Sequence, residues 1–205
     1  MFGRSGGCCC NVVCCFCIFY NTILCSVLAL LIFVFIFNPQ EPKFTVTDAS
    51  LTRFNFTNDN NTLHYNLALN ITIRNPNRRV GIYYRRIQVI ANYRKKRFAM
   101  VTLPSAPFYQ GHKNTTILNH VLVEGQQLVV FGEFNSEAAA GLYSIDLKLA
   151  LRVRARYGKF KSPNYKPYYK IDCSLKVPFS SNETSPSAFE ATQCWNVYLF
   201  SNPGD

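Results

Sequence analysis

Between Arg4 and Glu41 the chain carries no charged side chain, and residues 12–37, VVCCFCIFYNTILCSVLALLIFVFIF, are almost wholly apolar. Asn21, Thr22 and Ser26 are the only conventional polar interruptions. A helix rises about 1.5 Å per residue and the hydrocarbon core of a bilayer is about 30 Å thick, so about 20 residues span it. Residues 18–37 supply them, and we read them as one transmembrane helix. A cleaved signal peptide would have an apolar region of only about 7–15 residues followed by small residues. This run instead ends in Phe33, Phe35, Ile36 and Phe37, then Asn38-Pro39. The segment therefore reads as an uncleaved signal-anchor with a single span.

The anchor organises the rest. Residues 1–17 form a short tail with Arg4 and no acid, whereas the other flank carries Glu41 and Lys43. Positive charge is retained on the cytosolic side, so the tail is expected inside and the C-terminal part outside. Asn55, Asn60, Asn70, Asn114 and Asn182 each begin an Asn-x-Ser/Thr triplet without proline, the acceptor motif for N-glycosylation, which agrees with that orientation.

Cys8, Cys9, Cys10, Cys14, Cys15 and Cys17 crowd the tail. Disulfides do not persist in a reducing cytosol. A tetrahedral zinc site needs spaced ligand pairs, which these runs lack. Juxtamembrane cytosolic cysteines are the usual sites of reversible S-acylation, and these six are the candidates. Phe2 excludes N-myristoylation, which needs glycine there. Cys173 and Cys194 are the only two cysteines beyond the membrane, where disulfides persist. A bridge and a thiol buried on the apolar side of a strand both fit Cys173.

Beyond residue 37 the chain holds 21 Lys and Arg against 11 Asp and Glu, a formal charge of +10. That surplus either keeps the domain soluble or marks acidic company. Outside a membrane, such company is anionic lipid or acidic polysaccharide rather than nucleic acid. The cations cluster at Arg78 and Arg79, at Arg85 and Arg86, along Arg94-Lys95-Lys96-Arg97, and at Arg152, Arg154 and Arg156. The last three alternate along one strand face in steps of about 6.6 Å, a stripe suited to phosphate or carboxylate arrays.

Residues 38–43 contain two prolines and read as a stiff linker. Alternation then dominates. Leu63, Tyr65, Leu67, Leu69, Ile71 and Ile73 interleave with polar residues, as do Ile145, Leu147, Leu149, Leu151 and Val153, and then Tyr169, Ile171, Cys173, Leu175 and Val177. Period two means strands with one buried face. Weaker strands are expected near residues 44–51, 82–93, 97–103, 115–124 and 128–134. Seven or eight short strands with frequent turns predict an all-β antiparallel sandwich over residues 44–180. Residues 181–205 form an extension with a last strand at 194–200.

NPNRRVGIYYRR, with Asn75, Pro76, Asn77, Gly81, Ile82, Tyr83 and Tyr84, resembles a signature of plant NDR/HIN-like proteins. PFYQGHKNTT, with Phe108, Tyr109, Gln110 and Gly111, resembles their second marker. The likeness extends over nearly the whole chain. It implies a late-embryogenesis-abundant group 2 (WHy) domain, a fibronectin-III/immunoglobulin-like sandwich. It also implies a plasma-membrane protein of plant defence, the hypersensitive response and abiotic stress. An acidic residue commonly follows the Tyr-Tyr pair in that family, whereas here Arg85 does. Without the resemblance, both motifs read as turn chemistry: Pro76 removes a ladder donor, asparagines tolerate turns, and Gly81 allows positive φ or a close approach.

No Gly-x-Ser-x-Gly, His-Glu-x-x-His or phosphate-loop motif occurs, and His64, His112 and His120 are scattered. The chain therefore reads as non-enzymatic, with no cofactor and no metal site. The expected function is a membrane-tethered binding and signalling module that meets cell-wall polymer or a receptor outside the cell. The alternative is a lipid-binding or membrane-contact tether using the basic sandwich face. An apolar groove would favour the alternative, and a filled core with a wet basic face the first reading.

Overall fold

The computed structural model describes residues 12–37, 39–57, 60–129, 141–161, 169–180 and 189–199. It divides into two units, Met1–Asn38 and Pro39–Asp205. The first contains helix α1, Val12–Phe37. Its segment Cys14–Phe35 is long and apolar enough to cross a bilayer, and its side chains are exposed throughout. The three polar side chains satisfy themselves inside the helix, as lipid would require. Asn21 Nδ2 donates to Cys17 O at 3.0 Å, Thr22 Oγ1 to Phe19 O at 2.8 Å, and Ser26 Oγ to Thr22 O at 2.7 Å. The helix starts six residues before the expected position 18. Cysteine is apolar enough to continue it, and no Gly or Pro stands between Gly7 and Pro39. Cys14, Cys15 and Cys17 thus lie on the helix, not in a tail. Cys8, Cys9 and Cys10 fall outside the described residues.

Among the described residues the second unit has ten strands: β1 Lys43–Thr57, β2 Thr62–Arg74, β3 Val80–Tyr93, β4 Lys96–Thr102, β5 Phe108–Gln110, β6 Thr115–Leu128, β7 Leu142–Tyr157, β8 Phe160–Lys161, β9 Tyr169–Pro178 and β10 Thr192–Gln193. One sheet runs β10-β1-β2-β6. The other runs β4-β3-β7-β8, with β5 on β3 and β9 on β7. All pairings between these strands are antiparallel. Among the long strands, three (β1-β2-β6) face four (β4-β3-β7-β9). Immunoglobulin constant-type domains place the fourth strand on the first sheet. Here β4 pairs with β3 instead, the fibronectin-III arrangement.

The main strands are long, not short: β1 has 15 residues and β7 has 16. Register shifts explain how they stay curved. β1 slips at Val46/Asp48 and Leu51/Arg53, and β3 at Tyr84/Arg86. Each such bulge adds twist and bend. Of the strand expected at 128–134 only the first two residues are described: Leu128 ends β6 and Val129 lies outside any strand. Residues 130–140 are outside the described set.

Alternating side chains from both sheets fill the core. Phe44, Leu67, Leu69 and Ile71 meet Ile82, Val89, Leu147 and Ile171, all buried. Phe54 packs edge-on to Tyr143 at 4.8 Å and Tyr93 at 5.3 Å. The C-terminal segment joins the two sheets. β10 pairs with β1, while Trp195 N donates to Asp172 O at 2.8 Å on β9. Cys194 lies between them, bonded to Cys173 through sulfur with Cα atoms 4.4 Å apart. The expected last strand at 194–200 is thus a two-residue ladder and one bridge, shifted toward the N-terminus.

Candidate anion-binding face

Asn75, Asn77 and Gln110 are buried polar side chains in a β-sandwich, so their hydrogen bonds must be accounted for. Asn75 Nδ2 donates to Val80 O and to Gly111 O, each at 2.9 Å. Asn77 Nδ2 donates to Asn75 Oδ1 at 2.9 Å and to Gln40 O at 2.7 Å, and Gln40 N returns a bond to Asn77 Oδ1. Gln110 Nε2 donates to Ile73 O at 2.8 Å, and its Oε1 accepts from Tyr84 Oη at 3.3 Å. Burial pushes the Tyr84 phenol well above its usual range. The two motifs, more than thirty residues apart, form one polar corner that clamps β5 against β3.

That clamp fixes Tyr109. It pairs with Tyr83, and its ring lies across Gly81, where a β-carbon would be 2.6 Å from Tyr109 Cζ and would overlap Tyr109 Oη. Close approach, not positive φ, is why glycine stands at 81. Arg156 Cζ lies 5.5 Å from the Tyr109 ring centre, within reach of a cation–π contact.

The outer face of β3 and β7 is cationic. Arg156 stands opposite Gly81, Arg154 opposite Tyr83, and Arg152 opposite Arg86. The bulge at Tyr84/Arg86 breaks alternation, so Arg85 and Arg86 are both exposed while Tyr84 stays in the core. Gly158, at φ 58°, turns the chain into β8 and sets Lys161 opposite Arg156. Tyr83, Arg85, Tyr109, Arg154, Arg156 and Lys161 surround an open cleft of about 490 Å³. Among the described residues its lining carries four cations and no acid. Like charges directly opposite across strands are destabilising, here at Arg86/Arg152 and Arg156/Lys161. Of these two pairs, only Arg156/Lys161 lines the cleft.

The remaining predicted cations are elsewhere. Arg78 and Arg79 are exposed in the bend before β3. Arg94 and Lys95 form the β3–β4 turn and Lys96 and Arg97 begin β4, at the other end of β3. Ten residue steps along β7 separate Arg156 from Asp146 at that end, about 33 Å of strand. A second open cleft there, about 710 Å³, mixes signs: Lys95, Arg97 and Lys148 with Asp146 and Asp172. Lys148 Nζ lies 3.4 Å from Asp172 Oδ1. The basic clusters therefore do not share one face.

Among the described residues, no group of three or more His, Cys, Asp or Glu could hold a metal ion. His64 lies on β2, His112 in the turn after β5 and His120 on β6. The described sequons sit on one side of the fold. Asn55 is on β1, Asn60 in the β1–β2 turn, Asn70 on β2 and Asn114 just before β6. Asn55, Asn60 and Asn114 are exposed and Asn70 is half-buried. Asn182 lies outside the described residues.

Comparison with known proteins places this geometry. Residues 70–166 match the family described as Late embryogenesis abundant protein. NDR1/HIN1-like protein 10 of Arabidopsis thaliana is 45% identical over 194 residues, covering 91% of this chain and 83% of the relative. NDR1/HIN1-like protein 3 of the same plant is 48% identical over 177 residues, 84% of this chain and 74% of the relative. NDR1/HIN1-like protein 2 is 46% identical over 170 residues, 80% and 69%. The chain belongs to the NDR1/HIN1-like family. Both motifs and every residue lining the basic-aromatic cleft of this family member fall inside the segment 70–166. Cys173 and Cys194 fall outside it.

Sequence reasoning did not single out Lys161, nor the placing of Tyr83 and Tyr109 on the exposed side beside it. The signal for Lys161 was present: Tyr157-Gly-Lys-Phe160 is a two-residue hairpin turn, which folds Lys161 back beside Arg156.

Proposed function

We propose that this NDR1/HIN1-like protein is a non-enzymatic, membrane-anchored component of plant stress and defence responses. Its sandwich lies outside the cell at the plasma membrane and acts as a binding module for an anionic ligand. The observation that carries this reading is the cleft whose described lining holds four cations, two tyrosines and no acid. The core between the sheets is filled, and both described clefts are open and carry charged side chains. That combination favours a surface-binding module over a lipid carrier. α1 serves as the anchor, with S-acylation of some of Cys8, Cys9, Cys10, Cys14, Cys15 and Cys17 on its cytosolic side. Residues 1–17 carry few polar side chains with which to recruit other proteins, so a partner transmits any signal.

Topology is the first thing to test. The full-length protein in sealed membrane vesicles is treated with endoglycosidase and, separately, with protease from the cytosolic side. The expected result is a mobility shift, lost on Asn-to-Gln change at all five sequons, Asn55, Asn60, Asn70, Asn114 and Asn182, with the sandwich protected from protease. Absence of any shift together with digestion of the sandwich overturns the orientation and the acylation reading with it.

A further inference from the structure

We propose that the basic-aromatic cleft is a subsite for an acidic oligosaccharide, with sugar rings against Tyr109 and Tyr83 and their carboxylates on Arg154, Arg156 and Arg85. This rests on the reading of the sandwich as an anion-binding module and names the class of anion.

Charge gives the sign. Four cations converge without an acid, two of them in a like-charged cross-strand pair. Three of the four are arginine, whose planar fork matches a carboxylate with two parallel hydrogen bonds. Shape gives the size. The cleft is open on a sheet face, and the row continues past it through Arg152 and Arg86. Cations repeating along a strand at about 6.6 Å suit a linear polymer with repeated charge better than one compact phosphate.

The aromatic rings narrow the class further. Tyr109 is 46% exposed and Tyr83 38% exposed, although they carry large apolar faces. Tyr109 is held in place by the absence of a side chain at Gly81 and by Arg156 against its ring. A rigid amphipathic ring at low entropy cost is how proteins present contact area to ligands with both apolar and polar surface. A uronic-acid residue has both: C–H groups on the face of its pyranose ring and a carboxylate at its edge. A lipid headgroup fits less well, because Ala155 is the only aliphatic residue among the described lining and offers no slot for an acyl chain. The described sequons add an independent observation. Asn55, Asn60, Asn70 and Asn114 all belong to the first sheet or its approach, so glycans there would leave the outer face of β3 and β7 uncovered.

The test uses the full-length protein in nanodiscs of zwitterionic lipid, titrated calorimetrically with oligomers of 1,4-linked galacturonic acid. Three comparison probes are the fully methyl-esterified oligomer, inorganic polyphosphate, and vesicles containing an anionic phospholipid. Binding of the acidic oligomer is expected, with no binding of the ester. Arg154→Gln with Arg156→Gln should weaken it more than about tenfold, and Tyr109→Ala about tenfold. All these side chains are exposed or half-buried, so an unchanged thermal midpoint shows that each variant is folded. If the arginine changes abolish binding while Tyr83→Ala and Tyr109→Ala leave it unchanged, or if polyphosphate binds equally well, the cleft reads charge alone and the saccharide assignment fails. Preference for anionic vesicles makes it a lipid-facing surface. No binding of any anion overturns the anion-binding module itself.

Discussion

The Tyr109 ring occupies the space that a β-carbon at Gly81 would need, although the two residues are 28 positions apart in sequence. A single methyl group therefore acts on the cleft from below. The atoms in its way are the far end of a half-exposed side chain, so the ring can swing toward solvent instead of straining the backbone. Gly81→Ala is expected to lower stability by no more than about 1 kcal/mol, yet to remove the ring from Arg156. Urea unfolding gives the first number and tyrosine fluorescence reports the second. A loss of several kcal/mol with the ring still in place would contradict this.

Arg94 at φ 50° and Lys95 at φ 65° form the β3–β4 turn. Both central residues of a type I′ turn need positive φ, which suits Asn and Gly and costs other residues about 1–2 kcal/mol each. Lys95→Gly should raise stability by about 1 kcal/mol, seen as a higher urea midpoint with an unchanged slope. No change would mean that contacts of the Lys95 side chain already offset the strain.

Three tyrosines set an alkaline limit. Burial raises the pKa of Tyr84, of Tyr65 and of Tyr169, the last also through the carboxylate of Glu41. In the unfolded chain a tyrosine titrates near about pH 10. The folded state therefore holds its protons longer, and stability is fully present below that pH. It falls as pH rises beyond it, where only the unfolded state has released them. Thermal midpoints should be flat with respect to these groups through neutral pH and drop steeply above about pH 10. Tyr84→Phe should flatten that drop.

The Cys173–Cys194 bridge closes a 21-residue separation across the junction of the two sheets. In the chain-entropy model a loop of this size contributes about 3 kcal/mol. Replacing both cysteines with alanine, or adding reductant, should lower the urea midpoint accordingly. Hydrogen exchange should rise first at Thr192, Gln193 and Trp195, whose pairings the bridge holds. Equal stability of reduced and oxidised protein would show that these pairings hold the segment without it.

Much of this architecture could be read from side-chain period. The long alternations in β2, β7 and β9 gave their inward faces correctly, because one face is buried against the core and the other meets water. The apolar run gave α1, though its start was misplaced where cysteine blurs the line between tail and helix. The Arg152, Arg154 and Arg156 stripe was legible for the same reason as β7 itself. The Arg85 and Arg86 cluster was named from the sequence, but that both side chains stay exposed was not legible, because a bulge breaks period two and leaves no mark in local sequence. Nor was β5, three residues long, since its place depends on Asn75 and Gln110 meeting across the fold. Turn chemistry explained each residue of the two motifs separately, and only the tertiary hydrogen bonds show that they form one corner.

The most direct test is arginine-selective chemical footprinting of the full-length protein in membranes, read by mass spectrometry with and without an acidic galacturonate oligomer. The account predicts protection at Arg154, Arg156 and Arg85, with Arg94 and Arg97 at the far end of the same sheet reacting as before. Protection centred on Arg94 and Arg97, or equal at both ends, would contradict a ligand site built around Tyr109.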